Sequence, residues 1–249
     1  MVSEITRYKS LNFIVSLADR NIEINSVYPE LKVFFKDYLI SDIAPDFSIS
    51  LSEEDIRAEQ AMTTDSNFSP TYLETLATLR KLAEIWPSHN RILMHGASIE
   101  YNGQAYLFTA PSGTGKSTHI RLWKKHLGND VKIVNGDKPF ISLDDEPLIY
   151  GAPWAGKENW HRNCSAPLKG ICFVQRGTKN SIRKMEASEC LPLLFKQVYL
   201  PSVALTAGLT LELIDSLLKK VPLYLLTCDI SEEAVKCSFE ALTGLSYPS

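Results

Sequence analysis

Two short apolar runs separated by a polar turn open the chain. Leu11-Asn12-Phe13-Ile14-Val15-Ser16-Leu17 and residues 22–25 predict strands around the turn Asp19-Arg20-Asn21. Residues 28–39 carry Leu31, Val33, Phe34, Phe35, Tyr38 and Leu39 and predict a helix. From Asp46 to Leu51 the residues Phe47, Ile49 and Leu51 alternate with polar ones, the mark of a half-buried strand. Ser52-Glu53-Glu54-Asp55 fits a capping box opening a short charged helix. Residues 60–69 are polar, and a domain boundary is expected between 65 and 66. Residues 71–86 then follow a helical rhythm through Leu73, Leu76, Leu79, Leu82, Ala83 and Trp86.

The second part alternates strands with helices. Residues 91–100 and 104–109 read as strands joined at Asn102-Gly103, the strongest short hairpin signal. An apolar-periodic stretch at 119–127, with residues 120, 122, 123 and 127 apolar, reads as a helix ended by Gly128. Val131–Val134 is a strand running into Asn135-Gly136-Asp137, and residues 139–150 offer two short strands around Asp144-Asp145-Glu146, an acidic turn. Residues 151–169 lack periodicity and predict a long loop, which in a compact domain usually serves function or is disordered. A strand at 171–174, helices at 186–199 and 208–219, a strand at 222–227 and a helix from Ser231 complete the chain. The expected organisation is a small α+β subdomain at 1–65 and an α/β domain at 66–249.

Composition narrows the classes. The chain has 249 residues, 45% of them hydrophobic, enough for a sizeable core. Its 26 Lys+Arg against 29 Asp+Glu give a net charge of −3, unlike the basic balance of a nucleic-acid binder. The five cysteines, at 164, 172, 190, 228 and 237, are odd in number and show no C-x-x-C spacing. That argues against a disulfide framework or zinc site and for a reducing cytoplasm. The first residues lack the pattern of a signal peptide, and no apolar run approaches membrane-spanning length, so no membrane partner is expected.

One segment carries explicit chemistry. Residues 110–118 read Ala-Pro-Ser-Gly-Thr-Gly-Lys-Ser-Thr, between the apolar run Leu107-Phe108-Thr109 and the helix. Strand, glycine loop and helix is the setting of a phosphate-binding loop. Ser112, Gly113, Thr114, Gly115, Lys116, Ser117 and Thr118 are the candidate nucleotide-binding residues: their backbone N–H groups would cradle phosphates. Lys116 would reach the β- and γ-phosphates, and the Ser117 hydroxyl would ligate Mg²⁺. The pattern G-x-x-x-x-G-K-[ST] has alanine at 110, tolerable if φ there is negative and the packing loose. The competing reading is a glycine-rich turn with no ligand, which leaves Lys116 without a packing role.

Met94-His95-Gly96-Ala97-Ser98, the Asn102-Gly103 hairpin, Pro111–Thr118 and Gly136-Asp137-Lys138-Pro139 together resemble the HPr kinase and phosphoenolpyruvate carboxykinase superfamily, nearest its small stand-alone HPr kinase-like members. The resemblance covers residues 91 to about 180. It implies a P-loop core built on a mixed sheet, ATP as substrate and Mg²⁺ as cofactor. In such proteins an acidic pair follows the strand after the loop helix; here only Asp137 stands there, followed by Lys138. Asp137 is therefore the candidate for metal ligand and base, or else a turn aspartate. His95 is similarly a partner for Asp137 or a core histidine. In the loop 151–162, Lys157 and Arg162 are candidate cations for the transferring phosphoryl group, with Arg176 a further one, or else surface charges. An acid poised for chemistry is expected to add little to stability.

The reading is a cytoplasmic ATP- and Mg²⁺-dependent kinase acting on a hydroxyl, with a serine of a peptide or small protein as acceptor and residues 1–60 assisting its docking. A small-metabolite kinase and a nucleotide-binding module without turnover are the alternatives.

Overall fold

The computed structural model describes residues 11–63 and 67–248. The expected boundary between 65 and 66 lies outside them. Contacts group the chain into two compact units, Met1–Leu82 and Ala83–Ser249.

In the first unit, β1 (Leu11–Leu17) and β2 (Arg20–Ser26) form an antiparallel pair, extended by β3 (Leu39–Ile40) beside β1 and β4 (Phe47–Ser50) parallel to β2. The turn falls at Ala18-Asp19, both with positive φ, one step earlier than the polar residues suggest. Period-2 alternation buries Phe13, Val15, Leu17, Ile22 and Ile24 on one face. The helix expected over 28–39 is only α1 (Glu30–Phe34) and a 3₁₀ turn at Lys36–Tyr38. Leu39 and Ile40 leave it to pair with Val15 and Ile14, a ladder that local periodicity does not reveal. α2 (Glu53–Met62) starts on the expected capping box: Ser52 Oγ accepts from the Asp55 amide, and Asp55 returns the bond to the Ser52 amide at 2.9 Å. Ion pairs Asp55–Lys81 and Glu59–Arg80 tie α2 to α3 (Pro70–Ile85).

The second unit is α/β with a mixed sheet. Nine strands are ordered β5 (Arg91–Leu93), β9 (Phe140–Ser142), β10 (Leu148–Tyr150), β11 (Ser165–Arg176), β7 (Gln104–Thr109), β6 (Ala97–Tyr101) and β8 (Val131–Asn135), with β13 (Leu223–Cys228) on β11 and β12 (Ser181–Lys184) on β13. β7, β11 and β13 run parallel at its centre. Alternate residues of β7 serve opposite cores: Ala105 and Leu107 pack with Leu213, Ile214 and Leu217 of α6 (Ala204–Lys220), whereas Tyr106 and Phe108 pack with Trp123 of α4 (Lys116–Leu127) and Phe239 of α7 (Glu232–Thr243). Helices thus cover both faces.

The hairpin forms as expected between β6 and β7, with Tyr101 opposite Gln104 and positive φ at Asn102 and Gly103. The run 91–100, however, is two strands. β5 pairs with β9, and residues 93–95 pair instead with 197–199: the His95 amide donates to Gln197 O (2.7 Å) and the Tyr199 amide to Leu93 O (2.9 Å). At the break, a Cβ on Gly96 would lie 2.6 Å from the Leu107 side chain, so only glycine lets the chain cross there. That pairing also ends α5 (Ala187–Leu194) short of the 199 expected. β11 begins at Ser165, inside the expected loop, because its first residues pair with β10. β12 was not foreseen: Ser-Ile-Arg-Lys is largely exposed and lacks an apolar pattern. The acidic turn at 144–146 is ion-paired, Asp144 with Arg91 and Glu146 with Lys169. Among the described residues no helix is long and apolar enough to cross a membrane.

Gly103 has φ +73° and open space around its Cβ position. Gly103→Ala should therefore cost about 1–2 kcal/mol through φ alone. Gly151→Ala should cost more, since its Cβ would meet Arg162 O at 1.8 Å. Denaturant midpoints of the two variants check this order.

Candidate functional site

β7 ends at Thr109 and α4 begins at Lys116, so the intervening loop leaves the parallel centre of the sheet directly into a helix N-terminus. Gly113 (φ 76°) and Gly115 (φ 125°) supply conformations that side chains disfavour. Gly115 caps α4 without any side-chain bond, leaving the first-turn N–H groups without a side-chain acceptor. Lys116 is only 7% exposed, and its Nζ donates to Ala110 O (2.8 Å) and Pro111 O (3.4 Å). Burial pushes its pKa down, opposed by the attraction of Asp137. Ala110 is absent from the positive-φ residues, as an alanine there requires. Its packing is not loose, though: the methyl is buried in the core with Phe108 and Ile120. Arg176, at the end of β11, donates to Thr114 O (3.1 Å) and to Gly113 O, binding the outer carbonyls of the loop.

Asp137 is held out by the turn after β8. The buried Asn135 side chain accepts from the Asp137 amide (2.8 Å) and the Lys138 amide (2.7 Å), and donates to Ala152 O (2.7 Å). Gly136 is required because a Cβ there would stand 2.7 Å from Ala155 O. The Asp137 carboxylate meets His95 Nε2 at 3.2 Å through Oδ1 and Lys138 Nζ at 2.8 Å through Oδ2. Burial alone would raise its pKa; the His95 hydrogen bond and the Lys138 charge outweigh that and lower it to about 2. His95 is itself fixed. Its Nδ1 lies 3.0 Å from Gln197 Oε1, and its carbonyl accepts from Thr109 Oγ1 at 2.7 Å.

These pieces meet in one cleft of about 460 Å³. Of the residues expected from sequence, His95, Ser112, Gly113, Gly115, Lys116, Ser117, Thr118, Asp137 and Lys157 line it. Thr114 lines an adjoining pocket. Arg162 is not brought there: its guanidinium faces Glu100 at 3.7 Å, and its amide is bound to Val134 O, so the loop touches the cleft at 155–158 and has turned away from it by Arg162. Glu158 lines the cleft but is paired with Arg121. Sequence reasoning missed Lys138 as the partner of Asp137, Asn135 as its turn former, and Gln197 as the clamp on His95. Asn-Gly-Asp does carry a turn signal at 135–137. Gln197, about a hundred residues from His95, carries none.

The donor set suits phosphate: uncapped helix amides, a buried ammonium and further cations surround one cavity. For Mg²⁺, the Ser117 hydroxyl and Asp137 carboxylate line the same cleft, and a cation at Asp137 Oδ2 would replace the Lys138 ammonium. Among the described residues no three His, Cys, Asp or Glu side chains gather into a metal cluster. Mg²⁺ here would accordingly keep mostly water and phosphate oxygens.

No described protein family matches the chain, and no curated protein does. Among solved structures, the Hpr(Ser) kinase/phosphatase from Coxiella burnetii is similar over 50% of this chain and 94% of that chain, with 12% sequence identity and a TM-score of 0.27. At that level the likeness assigns no activity; the chemistry of the site has to.

The depressed pKa of Asp137 fixes a pH dependence. A carboxyl whose folded pKa (about 2) lies below its ordinary 3.8 adds stability that is present above the ordinary value and lost as pH falls toward 2. The acid therefore supports the fold, contrary to the expectation from its chemical role. Asp137→Asn should lower stability at pH 7 by at most about 2 kcal/mol. The difference from wild type should shrink between pH 4 and pH 2, and unfolding curves across that range measure it.

Proposed function

We propose that this chain is a phosphotransferase, an ATP- and Mg²⁺-dependent kinase whose acceptor is a hydroxyl, most simply a serine of a peptide or small protein. The observation that carries this is the convergence of a buried lysine, an uncapped helix N-terminus and a lone ionised aspartate on one cleft. Phosphoryl transfer needs little more than positioning and charge stabilisation.

The loop amides and Lys116 hold the β- and γ-phosphates. Lys157 and Arg176, both on the cleft wall, offset charge as it develops. The acceptor oxygen bonds to the γ-phosphorus, the bond to the β-phosphate oxygen breaks, and ADP departs with that electron pair. Asp137 receives the hydroxyl proton. Mg²⁺, when bound, would neutralise phosphate charge, with Ser117 and Asp137 as its protein donors. While Lys138 sits on the carboxylate, Asp137 is a weak base. An incoming phosphate competes for the Lys138 ammonium and frees Oδ2, and the basicity of Asp137 rises there only while that oxygen carries no Mg²⁺.

A second reading, nucleotide binding without turnover, is favoured by one observation. Both carboxylate oxygens of Asp137 are engaged, by His95 and Lys138.

Two variants test the proposal. In wild type, Mg-ATP at a hundredfold excess over its dissociation constant should stabilise the fold by about 2.7 kcal/mol. Lys116→Ala should abolish that thermal shift; an equal shift in both proteins would sink the phosphate-loop assignment. Asp137→Asn should retain ATP affinity by calorimetry and lose roughly 10²–10⁴ in ADP release with a serine peptide acceptor. Retention of more than about a tenth of the rate would move the base elsewhere, to Glu158 or His95 first.

A further inference from the structure

The loop between β10 and β11 reaches the phosphate cleft with residues 155–158 and places a cation there, Lys157. Gly156, Lys157, Glu158 and Asn159 are all exposed. They form a tight turn, closed by the Asn159 amide donating to Gly156 O at 3.2 Å, with positive φ at Gly156 (71°) and Asn159 (52°). An exposed turn of this kind opens easily unless something outside it ties it down. A lysine on a flexible four-carbon stem adds its own freedom. Where Lys157 stands relative to the phosphates therefore depends on how the turn is held.

It is tied on both sides. On one side the Gly136 amide donates to Trp160 O at 2.8 Å, and the Gly156 backbone lies so close to Asp137 that a Cβ there would stand 3.1 Å from Asp137 Cβ. On the other side stands Arg121 of α4. Its Nη2 meets Glu158 Oε1 at 3.0 Å, and its guanidinium lies over the Trp160 ring, 5.3 Å from the centroid. Trp160 itself packs on the core that holds Phe108, Trp123 and Phe239. A single exposed ion pair contributes little, but a planar guanidinium that pairs at its edge and stacks on its face is fixed in orientation. Arg121 follows Ser117 by four residues, so the two share one face of α4. The helix whose first turn lines the cleft thus also grips the turn that carries Lys157.

We infer that Arg121 is a positioning residue for phosphoryl transfer: through Glu158 and Trp160 it holds Lys157 in place against phosphates bound at the start of α4. The inference rests on the kinase reading above and adds to it a residue that does not itself line the cleft. Charge on the transferring group shifts in the transition state. A cation already fixed beside that group lowers the barrier, whereas a loose one must be ordered during the reaction. Loss of Arg121 should therefore slow transfer and leave nucleotide binding, carried by Lys116 and the loop amides, in place.

Arg121→Ala, Lys157→Ala and the double variant, measured beside wild type, test it. ADP release from Mg-ATP with a serine peptide acceptor gives kcat, calorimetry gives ATP affinity, and hydrogen exchange reports on residues 156–160. Arg121→Ala should lower kcat about tenfold, with ATP affinity changed by less than about twofold. Lys157→Ala should lose a similar factor, and the double variant should be no slower than either single one, because Arg121 acts through Lys157. Amides at 156–160 should exchange faster in Arg121→Ala while the denaturant midpoint stays at the wild-type value. With wild type active, three results would each overturn the inference and leave the kinase reading standing. These are an unchanged kcat in either single variant, a double variant slowed by the product of the two losses, and unchanged exchange at 156–160 in Arg121→Ala. Absence of ADP release in wild type would overturn the kinase reading, and the inference with it.

Discussion

The site depends on β7. It is paired on both edges, antiparallel to β6 and parallel to β11, and its side chains enter two different hydrophobic cores. A strand so constrained cannot slip, because a one-residue shift would exchange the two sets of side chains. Its C-terminal end therefore delivers the 110–115 loop to one position, and α4, anchored by Trp123 against Phe108 and Phe239, fixes the loop from the other side. The glycines then turn amides inward, while Arg176 binds the outer carbonyls.

Charge is the second organising element. Lys116, Lys138, Lys157 and Arg176 surround a cleft, or face its carboxylate, with Asp137 as its main acid, since Glu158 is engaged by Arg121 outside this group. Such an excess of cations is costly without an anion, and Asp137 compensates only part of it. A polyanionic ligand would complete the balance. The same reasoning explains why Asp137 stabilises the fold: until such a ligand arrives, it is the counter-ion.

Much of the architecture was legible in the chain because its signals are local. The Asn102-Gly103 turn, the capping box at Ser52, the glycine loop before α4, the apolar runs of β1, β2 and β7 and the alternation of β4 each depend on residues within a few positions. The failures have a common cause as well. The split of 91–100, the early start of β11, the short α1 and the end of α5 were decided by partners distant in sequence, namely 197–199, β10 and β1. Backbone groups form whichever ladder the tertiary fold brings to them, and no local propensity encodes that choice.

The site divides along the same line. The glycine loop between β7 and α4 and the candidacy of Lys116, Ser117 and Asp137 could be read from residue types and order, because backbone conformation and side-chain chemistry there act within one turn of chain. Only the tertiary structure decided that Arg162 is held at Glu100 away from the cleft, that Lys138 and not a second acid faces Asp137, and that Gln197 clamps His95. It alone joined Leu122, Val174 and Ile230 from three elements into a pocket beside the loop. Charge pairing and cavity walls are relations across space between segments far apart in the chain, and packing, not sequence proximity, determines which of them meet.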